Sequence, residues 1–175
     1  AAAISVLQEA QGVSEAEYGE QVGVNRRLAE LYQRTNRLPE RLSTLERLAA
    51  VESSDSARSS ILGEAAKLAE SLGETDRALA LWERRIDADP EDVSGLDARI
   101  TLLESQSRWD DLVAALEARA AQHRSAPQKR ADLVRIALVH HQQRGDLASA
   151  ISAWQRVVAD SPDDAEAVMS LAELL

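Results

Sequence analysis

The sequence lacks cysteine and phenylalanine, and no stretch of its 175 residues is apolar enough to cross a membrane. Without cysteine, the chain forms no disulfide, no thiolate nucleophile and no cysteine-based zinc site. A membrane-spanning helix needs about 20 consecutive apolar residues, so we expect no direct membrane insertion. Neither absence fixes the compartment. The cytoplasm is slightly favoured, and the bacterial periplasm is also compatible with the sequence.

Basic residues are outnumbered, with 20 Lys and Arg against 30 Asp and Glu, and the formal net charge is −10. Binding to nucleic acid requires a basic surface that displaces counterions from the phosphates, so we expect no nucleic-acid partner. Only Lys67 and Lys129 are lysines, and this excess of arginine with abundant alanine is typical of a GC-rich bacterial genome.

The residues that are abundant, namely Ala, Leu, Glu and Arg, favour helices and predict an all-α fold. One segment of the chain, residues 77–90, is largely repeated at residues 149–162. Both copies place a small Ala, a Trp four residues later and a Pro eight residues after that: Ala78, Trp82 and Pro90, then Ala150, Trp154 and Pro162. Ala and Trp at this spacing share one helical face, and the Pro separates two helices.

Apolar periodicity and turn residues predict ten helices joined by short loops, which form antiparallel hairpins. Their expected extents are 2–11, from 14 to about 35, from 38, 57–72, 75–89, 91–105, from 107, 125–145, 146–160 and from 161. On the eighth helix we expect Leu133, Val134, Ala137, Leu138 and His141 to face inward. On the last helix, the expected apolar face is Val168, Leu171, Ala172 and Leu175.

Local signals predict how several helices begin and end. Ser14–Glu17 has the pattern of a capping box, and Ser107–Asp110 resembles one. Residues 53–56 are interpreted as a turn with an N-cap, in preference to a phosphorylation site. Gly73 suits a left-handed helix end. Gly19 and Gly23 suggest close packing or a break in the second helix.

These residues resemble the tetratricopeptide repeat (TPR), a pair of helices that recurs at about 34 residues. The second-helix signature is the Ala, Trp and Pro set given above. A weaker first-helix signature is formed by Leu62, Ala65–Ala66 and Ala69, and by Val134, Ala137–Leu138 and His141. The resemblance implies a right-handed α-solenoid of antiparallel hairpins, a TPR-like superhelix. It implies one repeat array over residues 1–175, with a partial repeat at 1–14, repeats at about 15–55, 56–90, 91–126 and 127–162, and a partial repeat at 163–175.

We find no pattern that predicts catalysis, a metal or a cofactor. No two of His123, His140 and His141 have the i, i+4 spacing of helical metal ligands. The acidic pairs Asp110–Asp111 and Asp163–Asp164 fall in predicted first turns, where carboxylates favourably meet the helix dipole. We therefore expect no enzymatic activity from this chain.

The resemblance implies that another protein or a peptide binds the concave face, which the first helix of each pair lines. The candidate positions are Arg26, Glu30, Arg34, Lys67, Glu70, Asp97, Thr101, Glu104, Asp132, Arg135, Gln142 and Gln143. A clamp for a C-terminal carboxylate, known in cochaperone TPRs, is not supported, because Glu30 and Glu64 stand at corresponding places.

The leading hypothesis is a non-catalytic scaffold or adaptor. Because the chain begins without Met and ends within a helical pattern, we expect it to be part of a longer protein, so it could be the regulatory or substrate-recruiting segment of a larger enzyme or signalling protein. A third hypothesis is self-assembly into homo-oligomers through the solenoid ends.

Overall fold

The computed structural model describes residues 3–6, 18–90, 92–122 and 125–175, and all regular structure in these ranges is helical. The described helices are α1 (residues 3–6), α2 (Tyr18–Arg34), α3 (Leu38–Val51), α4 (Asp55–Ser71), α5 (Thr75–Ala88), α6 (Val93–Ser105), α7 (Trp109–Gln122), α8 (Ala126–Leu138), α9 (Leu147–Asp160) and α10 (Ala165–Leu174). A π-helical turn, Val139–Gln143, continues α8. The all-α prediction is confirmed.

The chain divides into two compact units, Ala1–Gly95 and Leu96–Leu175. In the first unit each helix from α2 to α5 packs on the next, and in the second unit the same holds from α7 to α10. The largest fully buried side chains of the first unit are Leu28, Tyr32, Leu42, Leu62, Leu81 and Trp82. Those of the second unit are Ile100, Leu103, Leu112, Leu116, Leu133 and Ile136.

The repeated Ala and Trp are core residues in both units. Ala78 and Ala150 have no exposed surface, and Trp82 and Trp154 are 1% and 3% exposed. The Trp82 indole Nε1–H also donates to Glu70 Oε1 at 2.6 Å, which joins α5 to α4. The repeat therefore marks the packing face of α5 and α9, as the sequence predicts.

A residue with positive φ follows the first helix of four successive pairs: Asn36 (φ 53°), Gly73 (75°), Ser107 (55°) and Gly145 (63°). After α4 the N–H of Gly73 donates to Glu70 O and that of Glu74 to Ala69 O, the pattern of a Schellman cap. Ser107 makes the equivalent bond to Glu104 O. The capping box predicted at Ser107–Asp110 is therefore wrong, because Ser107 closes α6 and does not begin α7.

Several other predicted helix ends are confirmed. Pro39 lies in the first turn of α3. The side chains of Ser54 and Asp146 accept from backbone N–H groups at the starts of α4 and α9. The last helix was expected from residue 161, but α10 begins at Ala165, and Asp164 is its N-cap. The capping box predicted at Ser14–Glu17 lies outside the described residues.

Gly23 does not mark a close approach to any described residue, because a Cβ placed there would meet none of their atoms within 4 Å, and α2 continues through it. Close approaches in this unit are found at Gly63, where a Cβ would overlap the guanidinium of Arg85, and at Gly95, where it would overlap the carboxylate of Asp92. That guanidinium also lies 5.5 Å from the centre of the Trp82 ring. The close packing predicted at Gly23 is thus not found among the described residues, and a side chain at Gly63 would require the end of the flexible Arg85 side chain to move.

The inward face of α8 differs from the prediction. Leu133 and Ala137 are buried as expected, but Leu138 and His141 are exposed. The buried residues at this end of the helix are Val139 and His140. Leu133, Ile136, Ala137 and His140 have the i, i+3, i+4 and i+7 spacing of a regular helical face, so the predicted stripe through Val134, Leu138 and His141 was about one residue out of phase.

On α10 the predicted apolar face is largely exposed. Val168 is 44% exposed and Leu175 is 83% exposed, whereas Ala167, which was not predicted, is buried. The helix packs on α9 through Ala167, and the rest of the stripe has no helix over it among the described residues. No helix within the described ranges combines the length and the hydropathy needed to cross a bilayer.

Candidate peptide groove of the first unit

A groove of about 340 Å³ lies between α2, α3 and α4. Its floor is apolar and includes Ala29, Leu45, Leu48 and Ile61, which are at most 9% exposed. Its rim is polar and comprises Arg26, Glu30, Gln33, Arg41, Ser60 and Glu64. An apolar floor with a few polar groups around it is the usual make-up of a binding site.

Helical spacing explains how the rim is formed. Arg26, Glu30 and Gln33 recur every three or four residues and so follow one face of α2. Ser60 and Glu64 do the same on α4. These are the first helices of two successive pairs, and the sequence predicts that first helices line the binding face.

One side of the rim is fixed by a buried carboxylate, Glu52. Its side chain is 8% exposed and forms an ion pair of 2.8 Å with Arg26. The backbone N–H of Ser54 donates to it at 3.2 Å and, with the Arg26 guanidinium, holds the pKa of Glu52 below its usual value. Arg26 therefore neutralises the buried Glu52, although its own side chain is exposed at the rim. Glu52 was not among the predicted site residues, because it follows a second helix, α3.

Arg41 and Glu64 form an ion pair that links α3 to α4 within the groove lining. The Arg41 side chain is 15% exposed, and its Nε is buried without a hydrogen-bond acceptor among the described residues. Arg41 was missed by the prediction, which considered only first helices. A basic residue directly before the inward Leu42 was the available signal.

Three predicted positions near the groove are exposed and make no hydrogen bond or ion pair with a described residue. They are Glu30, which lines the groove, and Arg34 and Lys67, which lie one helical turn further along α2 and α4. Glu70, in contrast, accepts from the indole of Trp82. The side chains left for a partner are therefore concentrated at one end of the groove.

In the second unit, most predicted positions are engaged within the chain. Arg119 on α7 pairs with Asp97 and also binds both carboxylate oxygens of Asp132, at 2.5 and 3.0 Å. Asp132 is only 2% exposed, so its predicted outward orientation is wrong. It is buried because Arg119 offers it two parallel N–H donors, the geometry that stabilises a carboxylate away from water.

The other predicted positions of this unit differ in their accessibility. Glu104 and Arg135 form an ion pair of 2.5 Å between α6 and α8. The hydroxyl of Thr101 donates to the Asp97 carbonyl oxygen of its own helix. Gln142 and Gln143 are exposed in the π-helical turn.

A second cavity of about 330 Å³ lies between α8 and α9. Its basic residues already have acidic partners: Lys129 pairs with Asp160, and Arg130 pairs with Asp164 and Glu166. Within the described ranges no three potential metal ligands lie together. The groove of the first unit is thus the better candidate for recognition.

The fold is similar to several solved structures. The N-terminal domain of stress-induced protein-1 (STI-1) from C. elegans matches with a TM-score of 0.53 and 15% identity, over 70% of this chain and 98% of that domain. A double mutant of MamA RS-1 matches with a TM-score of 0.50 and 19% identity, over 90% of this chain and 85% of MamA. Another MamA crystal structure matches at 0.50 and 13%, over 89% and 81%.

These similar structures are TPR proteins, and the likeness shows that this chain has a TPR-like fold. No protein-family model matches the sequence, and no curated protein matches it.

Proposed function

We propose that this chain is a non-catalytic adaptor whose α2–α4 groove binds a peptide segment of another protein. The observation that carries the proposal is the apolar floor of Ala29, Leu45, Leu48 and Ile61, bounded by a polar rim from two successive first helices. Apolar side chains of a peptide can be buried on this floor, and its polar groups can bond to the rim.

Three of the predicted positions are the best candidates for contact with the peptide. Glu30, Arg34 and Lys67 have side chains available for a partner, whereas Asp97, Glu104, Asp132 and Arg135 are held in ion pairs within the chain. Binding through the first unit leaves these ion pairs intact. Binding through the corresponding face of the second unit would have to break some of them.

The test variant should fill the groove without breaking the ion pairs that line it. Reversing the charge of Arg26 is unsuitable, because Glu52 would be left buried beside a second carboxylate. Ser60→Trp is suitable, because Ser60 lines the groove but is itself exposed. Asp87→Trp is the matched control, since Asp87 is exposed on α5 and does not line the groove.

The probe is a set of fluorescein-labelled 12-residue peptides selected on the native chain from a display library, and fluorescence anisotropy measures their affinity. Excluding a single apolar side chain from the floor costs about 1.5 to 3 kcal/mol, so we expect Ser60→Trp to weaken binding at least tenfold. Asp87→Trp should bind like the native chain. Equal affinity for Ser60→Trp and the native chain would place the binding surface elsewhere and refute the proposal.

A further inference from the structure

We infer that the peptide bound in the α2–α4 groove carries an acidic side chain next to its apolar anchor and that this carboxylate lies between Arg34 and Lys67. The inference rests on the proposed function and adds the chemistry of the partner. It depends on how the positive charges of the first unit are used.

Most arginines of the first unit are already neutralised by a carboxylate of the chain. Examples are Arg41 with Glu64, Arg77 with Glu46 and Glu74, and Arg85 with Asp92. Arg34 and Lys67 are exposed and have no ion pair with a described residue, which is also true of Arg27, Arg47 and Arg84. Arg34 and Lys67 are distinguished by their place near the C-terminal ends of α2 and α4, the two helices that bound the groove.

Their positions connect these cations to the groove. Arg34 is four residues beyond Glu30, and Lys67 is three residues beyond Glu64, so each lies one turn along the same helical face from a groove residue. The two cations are on α2 and α4, the helices that bound the groove on either side. A peptide anchored on the apolar floor can therefore present a neighbouring side chain to both.

The net charge of the chain opposes the binding of an acidic peptide. A chain with a net charge of −10 repels acidic peptides at long range. A preference for acidic peptides must then arise locally, from cations close to the bound segment. Because these cations are exposed, the preference should weaken as salt is added.

The experiment compares two peptide pools made from the selected sequences. Both pools are N-acetylated and C-amidated, so no terminal carboxylate contributes, and they differ only in having Asp and Glu or Asn and Gln beside the apolar anchor. We expect the acidic pool to bind about 3- to 10-fold more tightly at low salt, which is the range expected for two exposed ion pairs.

The double variant Arg34→Gln, Lys67→Gln should abolish this preference and leave binding of the neutral pool unchanged. The control is Arg47→Gln, Arg84→Gln, which removes the same charge from two exposed arginines that have no ion pair with a described residue and lie neither in the groove nor three or four residues from a groove residue. The control should keep the preference. All four positions are exposed, so the variants should remain equally helical by circular dichroism.

The outcomes separate the two proposals. If Ser60→Trp binds both pools as the native chain does, the proposed groove is wrong. If Ser60→Trp binds neither pool, the proposed groove is supported. In that case the acidic partner is refuted if the native chain favours the neutral pool or if the Arg34, Lys67 double variant keeps the acidic preference.

Discussion

Replacing Trp82 with alanine is the sharpest test of how the first unit is held together. Trp82 is 1% exposed and shares a helical face with Ala78, which is fully buried. Removing a buried Trp from a close-packed core costs about 3 to 5 kcal/mol, because both the transfer energy and the packing contacts are lost. Trp154→Ala should cost a similar amount in the second unit, since Trp154 is at the equivalent repeat position and is 3% exposed.

Two milder variants separate packing from the hydrogen bond to Glu70. Trp82→Phe keeps an aromatic ring but loses the indole N–H, which donates at 2.6 Å. Glu70→Gln keeps an acceptor oxygen and removes the charge. Because Glu70 is exposed, water can replace its lost partner, so the hydrogen bond should contribute about 1 kcal/mol. The expected order of destabilisation is Trp82→Ala, then Trp82→Phe, then Glu70→Gln.

The assay is urea unfolding and thermal unfolding, each followed by circular dichroism at 222 nm with tryptophan fluorescence as a second probe. In the thermal melt, at about 2 to 4 °C per kcal/mol for a chain of this size, Trp82→Ala should lower the melting temperature by roughly 6 to 20 °C. A loss of stability below about 1 kcal/mol for Trp82→Ala would refute the interpretation of this repeat as a core element. So would a larger loss for Glu70→Gln than for Trp82→Ala.

Three further substitutions have definite expected results. Ser107→Gly should raise stability by about 1 kcal/mol in urea unfolding, because Ser107 has a φ of 55° that glycine adopts without a Cβ penalty. Burial, and then the charge of Arg144, lower the pKa of His140 below 6.5. The free energy of unfolding should therefore fall as the pH drops through the pKa of the folded state. His140→Asn should remove this loss, as measured by thermal melts at pH 7 and pH 5. Arg130 and the Ala167 N–H lower the pKa of Asp164 to about 2. The contribution of the Asp164 carboxylate to stability is present above about pH 4 and should be lost between pH 4 and 2. Asp164→Asn should therefore reduce the change seen in acid titrations followed by circular dichroism.

Neighbouring residues provide the controls for these three substitutions. Gly73→Ser should destabilise, because it places a Cβ at a φ of 75°. His141→Asn should keep the pH dependence, since His141 is exposed beside the buried His140. Asp163→Asn should likewise retain the acid transition, because Asp164 provides the N-cap of α10. If a control changes as much as its test variant, the assigned mechanism is wrong.

The sequence was sufficient for the fold because its signals are local and repeated. Trp82 and Trp154 mark the packing face of a second helix in each unit, and both are buried. Gly73 ends α4, and Asp146 begins α9, as their backbone preferences predict. The role of each of these residues depends on only a few neighbouring positions in the chain, so it can be predicted from a single sequence.

The failures occurred where a distant residue decides the outcome. Ser107 has the composition of an N-cap, but the hairpin geometry places it at the left-handed end of α6. Asp132 was expected to face outward, and only the position of Arg119 on another helix explains its burial. On α8 two neighbouring stripes both have helical spacing, one with Val134 and His141 and one with Leu133 and His140, and only packing against other helices decides that the second is buried.

The candidate site was predictable only in part. Glu30, Arg34 and Lys67 are accessible in or beside the groove, as their positions on first helices suggested. Arg41 and Glu52 could not be identified in the same way, because they come from a second helix and from the residue that follows it. Their roles depend on cross-helix ion pairs, which the spacing of residues within one helix does not encode.

The most direct test of binding in the α2–α4 groove is a titration of the ¹⁵N-labelled chain with a selected peptide, followed by backbone amide NMR shifts. The account predicts that the largest shifts fall in residues 26–34 and 57–67 and that Ser60→Trp abolishes them. A bound peptide whose shifts fall only within Leu96–Leu175 would contradict it.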